Sequence, residues 1–482
     1  MNDAGAPLPI LIGGAWRPGG GGVAEVPDRF SGATFARVTQ AAPSDVEDAL
    51  AAAATAAPVL RAQARLDRRR LLAAVARGIE ERGRELAETI VAEAGKPARF
   101  AFAEVERAVS TFALAADESL RLGGEVVPLD VAEPGRAFDE AVVVRFPAGP
   151  VAAITPFNFP LNLVAHKLAP ALAAGCPVVL KPAPQTPVTA LRLAEIILAA
   201  GAPPGALGVV PCGPAVAEAL VRDARIRVLS FTGSAAVGWH LKDVAGHKRT
   251  LLELGGNAAC IVHEDADLDW AAARCALGGF AYAGQVCIAV QRILVHAPVY
   301  DAFAARLCAE VDRLPIGDPR QPDTVMGPMI DEAAAVRVEA WVAEALAGGA
   351  RALRGGPAAA PRRGALLPPI VLEGAPPDAR VTAEEVFGPV VVLERYGALD
   401  EALAAVNRSR YGLQAAVFTH DVRHIQRAFR TLEVGAVVAN DYPTFRVDNF
   451  PYGGVKDSGL GREGVRYAME EMTEPRVLIV RR

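Results

Sequence analysis

The sequence predicts an α/β protein built on two parallel sheets, each covered by helices. Three observations carry this. From Gly149 to Leu252, short apolar β-branched runs alternate with helical patterns, in the order strand, loop, helix. A second series of the same kind starts at Ala258 and runs to about Asn440. The length of 482 residues, 52% of them hydrophobic, is enough for two or three domains with large cores.

Residues 8–39 read as short strands and turns, punctuated by Gly13-Gly14 and by the run from Gly19 to Gly22. Ser44-Asp45-Val46-Glu47 has the spacing of a capping box at the head of an Ala-rich helix. Helices follow at about 67–82, 84–94 and 98–119. In the first of these Leu71, Leu72, Val75 and Ile79 recur at helical spacing and form a buried face. The run Arg68-Arg69-Arg70 reads as a solvated face. Residues 124–146 alternate apolar and polar positions and predict an extended strand pair. Strands are then expected at 151–154, 178–180, 207–210, 228–231 and 250–252, with helices at about 161–174 and 187–200. The second series supplies strands at 261–262, 293–295, 390–393, 415–418 and 436–439. The Pro- and Gly-rich stretch 355–369 reads as a surface connection. Residues 476–480 form a β-rich tail, and an apolar strand at a chain end needs an edge to pair with.

Composition excludes several classes. A net charge of −5 argues against a nucleic-acid-binding surface. No uninterrupted apolar run reaches 18 residues, so no membrane span is expected. No basic segment precedes an apolar one near the start, so no signal peptide is expected. Six cysteines are scattered without metal-type pairing, which suits a reduced, cytoplasmic protein without a bound metal. Cys176, Cys212, Cys260 and Cys275 lie in apolar surroundings and read as packing residues.

Cys287 is different. Gly284 breaks the helical pattern before it, and Ile293-Leu294-Val295 begins a strand after it, so it belongs on the turn between the two. A sulfur on such a turn faces a cleft, whereas a core cysteine does not. The thiolate is the reactive form, and a free thiol pKa of about 8.5 leaves little of it at neutral pH, so the surroundings must assist. A small core residue is the alternative reading of Cys287. Gly233-Ser-Ala-Ala-Val-Gly238 opens a helix directly after a strand. It is not the GxGxxG fingerprint, but the free N–H groups of such a helix start can take an anion.

The residues around Cys287 carry a resemblance. Gly284-Gln-Val-Cys287 with Gln291-Arg292, Leu252-Glu-Leu-Gly-Gly-Asn257 and Pro156-Phe-Asn-Phe-Pro160 resemble motifs of the aldehyde dehydrogenase superfamily. So do Lys181-Pro-Ala183, Phe231-Thr-Gly-Ser234, Glu385-Val-Phe-Gly-Pro389 and Pro451-Tyr-Gly-Gly-Val-Lys456. These seven motifs occur in the family's order, and the likeness runs from about the first hairpin to the C-terminus. It implies two doubly wound parallel-sheet domains, one a Rossmann-like cofactor domain (1–123 and 147–253) and one catalytic (254–440). A small β oligomerisation segment (124–146 and 455–482) is implied as well, with the edge for the C-terminal strand coming from a neighbouring subunit in a homodimer or homotetramer.

The reaction implied is oxidation of a small aldehyde to the carboxylic acid with hydride transfer to NAD or NADP. Cys287 is the implied nucleophile, forming a thiohemiacetal and then a thioester. Asn158 and the backbone N–H of Cys287 would stabilise the oxyanion, although a turn-capping asparagine is the alternative. Glu253 ends an apolar strand before two glycines, where a partly desolvated carboxylate can act as general base for water. A strand-end salt bridge is its alternative. Lys167 and Glu463 match positions of a proton relay, although a lysine and a glutamate on helices are usually surface residues. For the cofactor the resemblance implies Thr155, Pro156, Phe157, Lys181, Pro184, Gly233, Ser234, Leu254, Gly255, Glu385 and Phe387. Lys181 would bond the adenosine ribose, Ser234 the pyrophosphate and Glu385 the nicotinamide ribose. Phe159, Leu163, Phe280 and Phe445 would line the substrate tunnel. Arg107 and Arg446 would recognise an anionic tail, with surface ion pairing as the alternative for each.

Two positions depart from the family. Many members carry a glutamate where this chain has Pro184, so NADP is expected to be used beside NAD. Many carry tryptophan where it has Phe157, so an indole donor is replaced by stacking area alone. Asp441 to Arg446 and Glu470-Glu-Met-Thr473 resemble the lactaldehyde and phosphonoaldehyde branches. A CoA-acylating semialdehyde dehydrogenase and a catalytically silent binding protein on the same fold are the competing readings. Glu253 argues against the first, because acyl transfer to CoA needs no base for water. The intact set Cys287, Glu253, Asn158 and Lys181 argues against the second.

Overall fold

The computed structural model describes residues 6–131, 140–356 and 361–480. Parts of the expected 124–146 strand pair, of the 355–369 connection and of the terminal segments therefore lie outside the described residues.

The chain forms two large sheets, as the alternating pattern predicts. The first has eight strands in the order Ala15–Arg17, Ile10–Ile12, Leu207–Val209, Val178–Lys181, Val151–Ile154, Val228–Thr232, Arg249–Glu253 and Gly459–Leu460. Its five central strands are parallel. They are mostly apolar because helices cover both faces, and most of their polar residues, such as Lys181, Thr232, Arg249 and Glu253, fall at the strand ends. Val151 and Ala153 enter one core while Ala152 and Ile154 enter the other, which is the two-residue period of a strand.

The second sheet has seven strands in the order Arg351–Arg354, Ile370–Glu373, Val390–Tyr396, Val290–His296, Ala258–Val262, Gln414–Phe418 and Ala436–Ala439. Cys260 and Val262 face one core, Ala259 and Ile261 the other. Arg351–Arg354 and Ile370–Glu373 were not expected from the sequence. The first carries arginines at both ends and pairs antiparallel at the sheet margin.

Four expectations are corrected. Arg68 is 7% exposed, not solvated. Its guanidinium donates to the Ala174 carbonyl at 3.1 Å and the Leu60 carbonyl at 2.8 Å, satisfying carbonyls at the ends of two helices. The Ala-rich helix begins at Pro43, and Asp45 rather than Glu47 supplies the acceptor, taking the Ala42 N–H at 2.8 Å. Glu47 pairs instead with Arg225. The C-terminal strand Thr473–Ile479 pairs antiparallel with Glu140–Pro147 of its own chain, in a three-stranded sheet completed by Glu125–Pro128. The local partner is available because Glu140–Pro147 alternates in the same way. Phe280 ends the helix Leu268–Phe280 and is fully buried in the second sheet's core, so it lines no tunnel.

Candidate active site

The carboxyl ends of the first sheet meet the amino ends of the second. Lys181, Thr232 and Glu253 end three of four adjacent parallel strands, and Thr155 follows the fourth, which lies between those of Lys181 and Thr232. The chain then crosses to the second sheet in only four residues, Leu254 to Asn257. Two glycines make that crossing possible. A Cβ on Gly255 would lie 2.3 Å from the Glu385 carboxylate, and one on Gly256 would lie 2.3 Å from the Cys287 carbonyl oxygen. Both distances are far inside van der Waals contact, so a side chain at either position would push the cysteine turn and Glu385 apart.

Cys287 lies on the turn between Leu268–Phe280 and Val290–His296, as its sequence context predicts. Its sulfur is 3.2 Å from the Tyr452 hydroxyl. The Arg446 guanidinium stacks over the Tyr452 ring at 3.7 Å. Burial pushes the Cys287 thiol up to about 11, and the pull of Tyr452 and Arg446 in the other direction does not offset it. The thiol is therefore protonated at rest. Tyr452 has no role in the sequence reading. Its motif, Pro451 to Lys456, is recognisable, but nothing in the sequence shows its hydroxyl reaching the sulfur.

Asn158 is buried, and its Nδ2 donates to the Gln285 carbonyl at 2.9 Å, two residues before the cysteine. Its loop is held from behind. Glu104 accepts the N–H groups of Leu161 and Asn162 at 2.9 and 3.0 Å and pairs with the fully buried Lys96. The Lys96 ammonium in turn lies over the Phe159 ring at 3.5 Å. Phe159 is thus half-buried over a cation, while Leu163 packs one helical turn on.

Glu253 is 4% exposed, and its Oε2 has no hydrogen-bond partner among the described residues. Burial and the nearby Glu463 raise its carboxyl well above the ordinary range. Glu463 behaves oppositely. Burial alone would raise it, but Lys167 and Arg446 more than offset this and bring it to about 2. Lys167 donates to Glu463 at 3.2 Å and to Ser230 at 3.1 Å; Arg446 donates to the other Glu463 oxygen at 3.0 Å. All of these side chains are buried, so the surface alternatives for Lys167, Glu463 and Arg446 are corrected. Arg107 donates to Asp448 at 2.7 Å, and Asp448 also bonds His166 at 2.9 Å. Phe445 is half-exposed.

On the first sheet's side, Lys181 is buried, Pro184 and Ser234 are exposed, and Ser234 heads the helix Ala235–Ala245. The Thr232 hydroxyl just before it is buried without a partner among the described residues. Glu385 accepts the Gly256 N–H at 3.0 Å, and burial pushes its carboxyl up to about 7. Phe387 meets Phe157 edge to face, with centroids 5.8 Å apart. Strand ends, a helix start with small residues and an unpaired hydroxyl form a fitting donor set for a dinucleotide, which open α/β sheets take at their carboxyl edge.

Residues 16–478 match the model of the family described as Aldehyde dehydrogenase family. The chain is 44% identical over 457 residues to the 3-sulfolactaldehyde dehydrogenase of Priestia aryabhattai, covering 95% of this chain and 94% of that protein. It superposes with a TM-score of 0.95 and 43% identity on aldehyde dehydrogenase 21 from Physcomitrella patens in complex with the reaction product succinate, covering 99% of each chain. It superposes with a TM-score of 0.95 and 36% identity on the NADP-dependent glyceraldehyde-3-phosphate dehydrogenase from Bacillus halodurans complexed with NADP, covering 98% of this chain and 99% of that one.

Proposed function

The chain belongs to the aldehyde dehydrogenase family and oxidises an aldehyde with NAD or NADP, and from that premise we propose that its substrate is a short aldehyde with an anionic tail, received by Arg107 and Arg446. One observation carries this reading. Each of these guanidiniums binds one carboxylate, yet each keeps a buried Nε with no hydrogen-bond partner among the described residues. A buried unpaired donor costs about 1–3 kcal/mol, more when charged, so a bound anion is the natural partner. Arg446 also stacks on the tyrosine that touches the Cys287 sulfur. The similar proteins add support: their names and ligand carry a sulfonate, a carboxylate and a phosphate.

In this reading the Cys287 sulfur adds to the aldehyde carbon, with Tyr452 and Arg446 favouring the thiolate. Asn158 Nδ2 has two N–H groups, and the one not used by Gln285 donates to the oxygen that becomes charged. The Cys287 backbone N–H is the second donor. One such donor contributes about 3–4 kcal/mol in the transition state. The dinucleotide, when bound, supplies a nicotinamide that accepts hydride. Thr155, Pro156, Phe157, Lys181, Pro184, Gly233, Ser234, Leu254, Gly255, Glu385 and Phe387 would surround it. Glu253 then takes a proton from the water that attacks the thioester, a task suited to a carboxylate of raised pKa. Lys167 and Glu463 position that carboxylate's charge and proton. Glu253 so placed supports hydrolysis over acyl transfer to CoA, and the assembled site argues against a silent binding protein.

The first sheet draws its strands from residues 10–253 and Gly459–Leu460, the second from 258–439, and the third from 125–147 and 473–479. That distribution supports a cofactor domain over 1–123 and 147–253, a catalytic domain over 254–440 and, of the expected oligomerisation segment over 124–146 and 455–482, the parts in the third sheet; Gly459–Leu460 goes instead with the cofactor domain. The third sheet exposes Val126, Val142, Val477 and Leu478, a surface suited to a second copy of the chain in a homodimer or homotetramer. Six unpaired cysteines support a reducing, cytoplasmic setting. No helix among the described residues is long and apolar enough to cross a membrane.

The test is a matched pair of substrates. Four-carbon aldehydes ending in a carboxylate or in a methyl group should differ by at least about tenfold in kcat/KM, in favour of the anion. Equal turnover of the two would reject the anionic tail.

A further inference from the structure

At the end of the second sheet remote from Cys287, three neighbouring strands finish in a ladder of rings. His263 follows Ala258–Val262, while His296 and Tyr396 end Val290–His296 and Val390–Tyr396. The His263 and His296 rings stack at 4.8 Å and 17°, and His296 and Tyr396 at 5.1 Å and 21°. His424, in the first turn of Val422–Thr431, leans on His263 at 4.4 Å. The seven-residue strand Val290–His296 puts about 20 Å between this cluster and the cysteine turn.

Hydrogen bonds decide which ring nitrogens are free. His296 Nε2 lies 2.9 Å from the Gly397 carbonyl, which can only accept, so that nitrogen carries a proton. Neutral His296 then holds its lone pair on Nδ1. This atom is buried without a hydrogen-bond partner among the described residues and lies 3.5 Å from Glu264 Oε2. His263 Nδ1 lies 3.1 Å from Asp265, a carboxylate already held by the Thr419 hydroxyl and the His420 N–H. Its proton belongs on Nδ1, leaving the lone pair on Nε2. A carboxylate or carbonyl behind each imidazole is the arrangement that fixes histidine ligands in metal sites. A lone pair facing a carboxylate oxygen needs positive charge between them, either a proton or a metal ion. Among the described residues, His263, Glu264 and His296 each bring one ligand atom within 4.8 Å of the others. His424 forms a second such group with His263 and Asp265, and its own Nδ1 is also buried and unpartnered.

We propose that His263, Glu264 and His296 bind one divalent transition-metal ion. Imidazoles with a carboxylate suit the zinc, nickel and copper group rather than magnesium or calcium. Ligand bonds of about 2.0–2.2 Å require the His263 and His296 rings to turn out of their nearly parallel stack, so that both in-plane lone pairs converge on one ion. The ion would join the ends of two neighbouring strands, far from the reacting thiol.

The experiment uses the full chain, freed of any affinity tag, stripped with a chelator and carrying Cys287→Ser so that the catalytic thiol cannot bind metal. Zn²⁺ and Co²⁺ are added separately. Equilibrium dialysis with metal analysis should give one ion per chain, and the melting temperature should rise as the site fills. Glu264→Gln changes an exposed residue and should leave the fold intact. It and His296→Gln should each weaken binding by at least about tenfold. If no stoichiometric ion binds, a proton occupies the space between His296 and Glu264 and the proposal fails. It fails equally if one ion binds but Glu264→Gln and His296→Gln leave its affinity unchanged.

Discussion

The Tyr452 hydroxyl lies 3.2 Å from the Cys287 sulfur, with the Arg446 guanidinium over the face of the same ring. This pair is the immediate source of stabilisation for a thiolate that burial disfavours. Tyr452→Phe keeps the ring and its stacking but removes the donor. A hydrogen bond to a charged group contributes about 1.5–3 kcal/mol, so alkylation of Cys287 by iodoacetamide at fixed pH should slow by at least about tenfold. An unchanged rate would mean that the hydroxyl is a neighbour without influence.

In the proposed mechanism Glu253 acts at a different step. Glu253→Gln should slow steady-state turnover by about 10²–10⁴-fold while a burst of reduced cofactor survives, because the acyl-enzyme still forms. The direction of the pH effect follows from its raised pKa. The carboxylate must be deprotonated to accept a proton. Activity should therefore fall as pH drops through a value well above the ordinary carboxylate range of about 4.3. A wild-type acid limb at the ordinary position would place the base elsewhere.

Much of the fold was legible in the sequence, as were the residues proposed above as the reacting groups. Alternation between β-branched runs and helical patterns is local, so the strands at 151–154 and 178–180 could be read directly. Cys287 and Glu253 sit where a pattern changes, and that change is local too. What escaped is long-range. Arg68 looks like one of three surface arginines until two helix ends converge on it. Arg446 and Glu463 are 17 positions apart and meet only when the chain packs. The partner of Thr473–Ile479 lies more than 300 residues earlier, in Glu140–Pro147. Sequence patterns describe faces and ends of elements; they do not say which buried charges find each other.

Arg107 offers the cleaner test of the anionic tail, because Arg446 also supports Glu463. Asp448 would keep His166 as a partner in Arg107→Gln, so the local fold should survive. Loss of one charge-assisted bond should raise KM for a carboxylate-bearing aldehyde by roughly tenfold or more, with little change for a neutral aldehyde of equal length. The outcome is read as the ratio of the two kcat/KM values. A uniform loss on both substrates would assign Arg107 a purely structural role.

The third sheet predicts assembly. Thr473–Ile479 covers one edge of Glu140–Pro147, and the sheet presents exposed apolar side chains, Leu478 among them at 61%. Removing residues 473–482 would open that edge and delete half of the apolar surface. The truncated chain should sediment as monomers or aggregates, whereas the full chain should sediment as a dimer or a pair of dimers at micromolar concentration. A monomeric full chain would overturn the assembly.

Cofactor choice turns on the loop after Val178–Lys181. Preference for NAD in dinucleotide sites commonly rests on a carboxylate that bonds the ribose hydroxyls and repels the 2′-phosphate of NADP. Pro184, exposed on this loop, offers neither a carboxylate nor an N–H. Lys181, buried three residues earlier, supplies a cation able to meet a phosphate. The wild-type chain should therefore use NADP measurably beside NAD. Pro184→Glu adds the missing charge without touching the core. A charge–charge interaction near an exposed site contributes about 1 kcal/mol, so the ratio of kcat/KM should move toward NAD by several-fold to roughly tenfold. The effect should shrink at high salt, because an exposed charge is screened. Strict NAD dependence in the wild type, together with an unchanged ratio in Pro184→Glu, would place the selecting group elsewhere in the site.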